Sequence, residues 1–185
     1  ENEYLYKNSP WEESTRIPFI IRHPKLSKAG SEVLHAVSLI DIFPTLTDIC
    51  NLKGNITKNG TAASVDGFSL KPFLENPETN EWKGPNGALT VLGAGINHPI
   101  EGVGFNRNPG ALWHIEITAD LDSSYVLQQN YSYRTKDWRY ILYQNGKEEL
   151  YNHIEDGFEW NNIASEKKYK KIHKIKNNIR YKMLV

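Results

Sequence analysis

The sequence carries few features that reach beyond a folded core. A single cysteine, Cys50, excludes an internal disulfide. It reads as a small apolar residue at the end of a helix. Neither sign of charge is in excess, since 22 Lys and Arg face 22 Asp and Glu. Without a net field, nothing favours nucleic acid or an acidic partner. No stretch reaches the ~18–20 apolar residues that span a bilayer, so no membrane span is expected. No signal peptide is visible; the chain begins with Glu1 rather than Met and reads as a fragment. What is present suits a folded domain. Ten Tyr and five Trp exclude extensive disorder. A chain of 185 residues can bury a sizeable core. No internal repeat is visible.

Periodicity gives a coarse order of elements. Residues 1–16 read as a polar loop. The run Ile17–Arg22 is continuously apolar up to Ile21, which suits a strand buried on both faces of a parallel sheet. Pro18 fits the start of such a strand. A short strand is expected over 32–36. Ser38 then serves as an N-cap with Asp41 in the first turn. Leu39, Ile42, Phe43, Leu46 and Ile49 form a helical stripe expected to pack inward. Pro44 predicts a kink or a late helix start. A polar loop over 51–65 follows, with glycosylation sequons at Asn55 and Asn59; a third lies at Asn130. Gly67–Leu74 reads as one or two helical turns, and Ala88–Leu92 as a strand.

The second half is expected to be an antiparallel meander. An irregular, glycine-rich loop spans 93–110, a length that is usually functional or mobile. Strands are predicted at Trp113–Thr118, Ser124–Arg134, Arg139–Tyr143 and Glu148–Tyr151. Asn145-Gly146 signals a two-residue hairpin. Phe158–Ile163 reads as a capping turn. Glu166–Met183 reads as a lysine-rich helix with one apolar face and one solvated face.

Four segments carry a resemblance. Lys7, Trp11-Glu12 and Arg16-Ile17-Pro18 resemble the sulfatase segment K-x-x-x-[WY]-E-x-x-x-R-x-P. Arg134-Thr-Lys-Asp-Trp-Arg-Tyr-Ile141, Glu149-Leu-Tyr151 and Asp156-Gly-Phe-Glu-Trp-Asn-Asn-Ile-Ala164 resemble the C-terminal sulfatase signature R-T-x-x-W-R-Y-I, E-L-Y-D, D-P-x-E-W-x-N-L-A. Between them, Val37–Leu46 and Asp66–Leu74 match two more segments in the right order. The chain is thus similar to the C-terminal portion of a type I sulfatase of the iduronate-sulfatase-like group, in the alkaline-phosphatase-like superfamily. The fold class implied is α/β. Residues 1–92 would form the end of a large mixed or parallel sheet with helices. Residues 93–185 would form a small antiparallel sheet with a packed terminal helix.

The resemblance also implies chemistry. Sulfatases use a formylglycine made in a C/S-x-P/A-x-R motif, a divalent cation that is usually calcium, and lysines and histidines around the sulfate. Positive charge held in place around the sulfate oxygens stabilises charge that grows in the transition state. Cys50 is followed by Asn51-Leu52-Lys53-Gly54, which is not that motif. The nucleophile and metal ligands are therefore expected in a missing N-terminal portion, and the fragment alone is expected to be inactive. Lys7 is the catalytic residue carried over, as the lysine that contacts the sulfate near the leaving oxygen. His98, His114 and Arg134 are candidates for substrate contact, Arg134 toward an acidic sugar. Asn130-Tyr131 stands where sulfatases often carry Asn-His. Glu12 and Arg16, four apart, are expected to pair and hold the loop. His153 and Trp160 read as structural. The expected partner is a sulfated sugar or polysaccharide, and the resemblance implies a periplasmic, extracellular or lysosomal-type setting. Two alternatives stay open: a phosphodiesterase or phosphonate hydrolase of the same superfamily, and a non-catalytic module that binds a glycan or another partner.

Overall fold

The structure, a computed structural model, describes residues 9–53, 64–92, 130–143 and 145–172. In chain order the elements are α1 (Glu12–Thr15), a 3-10 turn (Leu39–Asp41), α2 (Ile42–Ile49), α3 (Lys71–Glu75), β1 (Ala88–Leu92), β2 (Asn130–Arg134), β3 (Trp138–Leu142), β4 (Glu148–Asn152) and a second 3-10 segment (Lys167–Ile172). The architecture is small and mixed α/β, with one four-stranded sheet of order β1-β2-β3-β4. Two compact units divide the chain: Glu1–Ile17 with Leu89–Val185, and Pro18–Ala88.

The first unit is built on the sheet. β3 runs antiparallel to both β2 and β4, with Tyr140 opposite Tyr133 and Leu150. Strand alternation sends side chains to opposite faces. Tyr131, Tyr140, Leu142 and Leu150 therefore share one face and form a buried cluster, against which Ile163, Ala164 and Tyr169 pack. Trp138 meets the Tyr169 ring edge-on at 5.5 Å. The free edge of β4 is covered, since Leu150 accepts from the Ile163 N–H at 3.0 Å and donates to Asn162 Oδ1 at 3.1 Å. Covering an edge in this way blocks further strand pairing. The opposite face holds Ser132, Arg134, Arg139, Ile141, Glu149 and Tyr151.

The β3–β4 hairpin stands where Asn145-Gly146 predicts it, but its loop is longer than two residues. The Tyr143 N–H donates to the Lys147 carbonyl at 2.9 Å, and the Gly146 N–H to the Tyr143 carbonyl at 2.9 Å. Gly146 takes φ +81°, the left-handed position that closes a three-residue loop with a bulge. The predicted strand residues 113–118 and 124–129, and the helix beyond Ile172, lie outside the described residues. Lys167–Ile172 is 3-10 rather than α-helical.

The second unit corrects two expectations. Ile17–Arg22 is not a strand; Ile17, Phe19 and Ile20 are exposed, Ile20 by 90%. A strand buried on both faces needs hydrogen-bonded neighbours, and no described strand pairs with it. Residues 32–36 are likewise irregular. Ser38 does start the helical stretch: its N–H donates to Asp41 Oδ2 at 2.8 Å within a capping box. The turn is 3-10 before α2 begins at Ile42, which places Pro44 early in the α-helix, where its missing N–H costs little.

The predicted inward stripe is reversed in part. Leu39, Phe43 and Leu46 are exposed, while Asp41 and Thr45 are buried. The cause is the backbone of 67–70. Asp41 Oδ1 accepts the Phe68 N–H at 2.8 Å, and Thr45 Oγ1 accepts the Leu70 N–H at 2.8 Å. Thr45 in turn donates to the Asp41 carbonyl at 2.6 Å. Buried N–H groups demand acceptors, so the helix presents its two polar residues there. Beside them, Trp82 packs on Phe73 at 5.2 Å and on His35 at 4.9 Å, and its indole donates to the Ser69 carbonyl at 3.0 Å. Cys50 caps α2 and is exposed.

Gly67 lets this loop approach the helix. It takes φ +91°, and a Cβ there would lie 2.3 Å from the Ile40 carbonyl oxygen. Gly67→Ala is expected to cost ~2 kcal/mol or more, from backbone strain plus the contact. Urea denaturation checks it; a loss below ~0.5 kcal/mol would mean that the loop does not need to come so close.

Candidate functional site

The polar face of the sheet receives the segment Ser9–Glu12, and nearly every contact is made by a side chain that strand register has already aligned. Ser132 Oγ donates to the Pro10 carbonyl at 2.7 Å. Arg139 Nη1 donates to the same carbonyl at 3.0 Å and to Ser132 Oγ at 2.7 Å. Arg139 Nη2 bonds Glu12 Oε2, and its Nε bonds Glu159 Oε1, both as short charge-assisted contacts. Glu159 Oε2 accepts the Glu12 backbone N–H at 2.9 Å. One guanidinium thus joins β3 to the 10–12 segment and to the turn at 159.

A second carboxylate fixes Trp11. Glu149 Oε2 accepts the Trp11 indole N–H at 2.9 Å and the Tyr151 hydroxyl at 2.9 Å; Glu149 Oε1 accepts the Tyr143 hydroxyl at 3.0 Å. Burial, then the Glu149 charge, pushes both tyrosines well above their ordinary range. Both therefore stay neutral donors. Ser9 is buried and donates to Ser14 Oγ at 2.7 Å.

Arg134 completes the cluster from β2. Its Nε donates to Glu12 Oε2 at 3.0 Å, Nη1 to the Lys136 carbonyl at 2.9 Å and to the Thr135 carbonyl, and Nη2 to His153 Nδ1 at 2.9 Å. A guanidinium only donates, so Nδ1 of His153 accepts and its Nε2 carries the proton. That proton points to Glu159 Oε1 at 2.6 Å. The expected Glu12–Arg16 pair is thus replaced. Arg16 is exposed, and Glu12 turns instead to Arg134 and Arg139. Buried partners on two strands outcompete a solvated neighbour four residues away.

Glu12, His153 and Glu159 place one possible ligand atom each within 4.8 Å of one another. They do not fit calcium, which takes ~6–8 oxygen ligands. Both carboxylates already serve guanidinium groups, and the two arginines would repel a cation. The trio belongs to an ion-pair network.

Of the sequence candidates, Lys7, His98 and His114 lie outside the described residues. Arg134 sits on β2 with its guanidinium spent on the contacts above. The residues that sequence reasoning missed are Arg139, Glu149 and Glu159. Their signal was available: Arg139 interrupts the run Trp138-Arg-Tyr-Ile-Leu142, and a charge within an otherwise buried strand requires a partner. Trp160 is exposed and stacks on Phe158 at 5.1 Å.

No family model matches the chain. Among curated proteins it is 28% identical to arylsulfatase K of Homo sapiens over 167 residues, which covers 89% of this chain and 25% of that protein. It is 28% identical to N-acetylglucosamine-6-O-sulfatase of Bacteroides thetaiotaomicron over 174 residues, covering 92% of this chain and 25% of that protein. The chain therefore spans about a quarter of the length of the curated relatives it matches. A solved structure, a complex with its substrate D-glucosamine-2-N,6-O-disulfate, superposes with TM-score 0.50 at 25% identity over 86% of this chain and 26% of that one.

Two outcomes test the cluster. Arg139→Met is expected to cost ~3–5 kcal/mol in chemical denaturation, because Glu159 is left buried without its cation; a cost under ~1 kcal/mol would show that water replaces it. Burial raises the Glu12 carboxyl, but the bonds and charges of Arg134 and Arg139 outweigh it and hold the group below its usual 4.5. A depressed carboxyl adds stability that is present above 4.5 and lost as pH falls through the folded value. Stability across a descending pH series is expected to fall more steeply in the native chain than in Glu12→Gln. Equal slopes would remove Glu12 from the linkage.

Proposed function

We propose that this chain, a C-terminal segment of a sulfatase of the alkaline-phosphatase-like superfamily, serves an intact enzyme that hydrolyses sulfate esters of a sugar. One observation carries the proposal. Most of the charged residues of the polar cluster are residues of the sulfatase-like motifs: Glu12, with Trp11, from the first, and Arg134, Arg139, Glu149 and Glu159 from the last. Two motifs more than a hundred residues apart thus meet in a single buried network, which supports a shared purpose.

That purpose is to hold Ser9–Glu12, the segment that follows Lys7 in the chain. Lys7 lies two residues before Ser9 in the chain. A compact ammonium is suited to a sulfate oxygen and the departing alkoxide oxygen together, where negative charge grows as the S–O bond breaks. The formylglycine nucleophile and the calcium ion that sulfatases use belong, in this proposal, to the rest of the intact protein. The partner is a sulfated carbohydrate; relatives named for a glucosamine sulfatase and a complex with a glucosamine disulfate support that class. His98 and His114 are proposed to contact it; Arg134, bonded to Glu12 and His153, is proposed to position rather than to bind.

In the intact protein, Lys7→Ala is expected to lower kcat on a sulfate ester by ~100-fold or more, the scale of losing one oxyanion-stabilising group. Its melting temperature is expected to stay within a few degrees. The 185-residue chain alone is expected to turn over nothing. Unchanged kcat in Lys7→Ala, or turnover by the isolated chain, would overturn the assignment.

A further inference from the structure

We infer that the outward apolar stripe of α2, made by Leu39, Phe43, Leu46 and Cys50, is a docking face on which the rest of the intact protein seats an apolar surface of its own. The inference rests on the proposal that this chain is a segment of a longer sulfatase, and on no residue of the reaction.

The helix is inside out. Leu39, Phe43, Leu46 and Cys50 follow at spacings of four, three and four residues, so at ~100° per residue they share one side. All four are exposed, the first three by 59%, 52% and 48%. Asp41, Thr45 and Asp48 fall on the opposite side by the same spacing. Asp41 and Thr45 are buried, and Asp48 accepts the Ser69 hydroxyl at 2.7 Å and pairs with Lys71 at 3.6 Å. A helix that borders water turns its polar side outward. This one turns its polar side onto 67–71 and its apolar side away.

The inversion is locked. Rolling the helix to bury the stripe would take Asp41 Oδ1 and Thr45 Oγ1 from the Phe68 and Leu70 amides. A buried N–H without an acceptor is costly. Both ends are fixed as well. The Ser38 capping box closes the first turn, and Asn51, left-handed at φ +49°, lets the Leu52 N–H reach the Thr47 carbonyl at 3.0 Å. The unit Pro18–Ala88 offers little apolar interior in exchange. Among its described residues the buried large apolar side chains are Leu70 and Phe73, while Ile40 is 57% exposed and Ile20 90%.

The occupant follows from where the helix occurs. Its first half lies in a sulfatase-like segment, and a match that covers 92% of this chain includes it. The relatives share the helix, and about three-quarters of their length lies outside the match. On proteins in water a contiguous apolar strip marks a contact. The remainder of the same polypeptide is tethered to the stripe, so it meets it at a higher effective concentration than a second copy does. It must present aliphatic or aromatic side chains there, because a charge against Phe43 and Leu46 would lose its water without a partner.

The test is made in the intact protein, with p-benzoylphenylalanine in place of Phe43 as a photo-cross-linker and mass spectrometry of the joined peptides. Cross-links are expected to peptides of the same molecule that lie outside these 185 residues. The native thiol of Cys50 is a second probe that needs no substitution, so it reports even where the cross-linker disturbs folding. N-ethylmaleimide is expected to label it ~100-fold or more slowly in the folded protein than in urea, because labelling waits for the segment to open. Cross-links between two molecules would give the face to a second copy, and cross-links confined to this chain would give it to the chain itself; either overturns the inference. Folded-state labelling within about tenfold of the unfolded rate would show a stripe open to water and also overturn it. Neither probe measures ester hydrolysis, so the inference can fail while the sulfatase assignment stands, and failure of that assignment shows separately in Lys7→Ala.

Discussion

Arg139 lies in the middle of a strand with its side chain almost wholly out of water, and a bare guanidinium in that position would cost several kcal/mol. The arginine network on the polar face of the sheet follows from meeting that demand. Glu12 and Glu159 supply the charge; the Pro10 carbonyl and Ser132 supply the remaining acceptors. These four partners come from three separate stretches of chain. Ordering all three around one ion is a constraint as much as a stabilisation. A buried ion pair adds modest net energy compared with an apolar filling, but it tolerates few alternative arrangements. The consequence is a segment, Ser9–Glu12, whose course is set from outside itself.

The sheet has two faces with unlike duties. One face is apolar and gives the unit its core through Tyr131, Tyr140, Leu142 and Leu150. The other is nearly all polar and carries the arginine network and the Glu149 cluster. Alternation at a period of two allows both on the same strands. Trp138-Arg-Tyr-Ile-Leu142 is therefore not one apolar strand with a stray charge. It is a core strip and an anchoring strip interleaved. The sulfatase-like signature gains a physical meaning from this, since Trp138 and Tyr140 serve one face and Arg134, Arg139 and Glu149, with Tyr151, the other.

Much of the sheet was legible before any coordinates. Strands β1, β3 and β4 lie within a residue of their expected ranges and β2 at the C-terminal end of its own, and the hairpin at Asn145-Gly146 was signalled by turn chemistry. Local propensity and period carry such information. Ser38 as a cap was legible for the same reason. The stretch Ile17–Arg22 was misread because a continuous apolar run says what a segment would bury, not whether a partner strand is at hand. The stripe on α2 was misread because periodicity counts apolar side chains and ignores buried amides. Phe68 and Leu70 required acceptors, so Asp41 and Thr45 took the inner face.

The sequence by itself determined the four strands of the sheet, the Ser38 cap, the hairpin and the likeness to sulfatases, since each is written in residues close together along the chain. Only the tertiary structure decided the partners. Glu12 could have paired with Arg16, four residues away; it pairs with Arg139 and Arg134, more than a hundred residues on. Glu159 could have been a surface residue of a turn; it is buried and holds an amide near the other end of the chain. The reason is that ion pairing depends on distance and on exclusion from water, and neither quantity exists until β2, β3 and β4 have brought their polar face together.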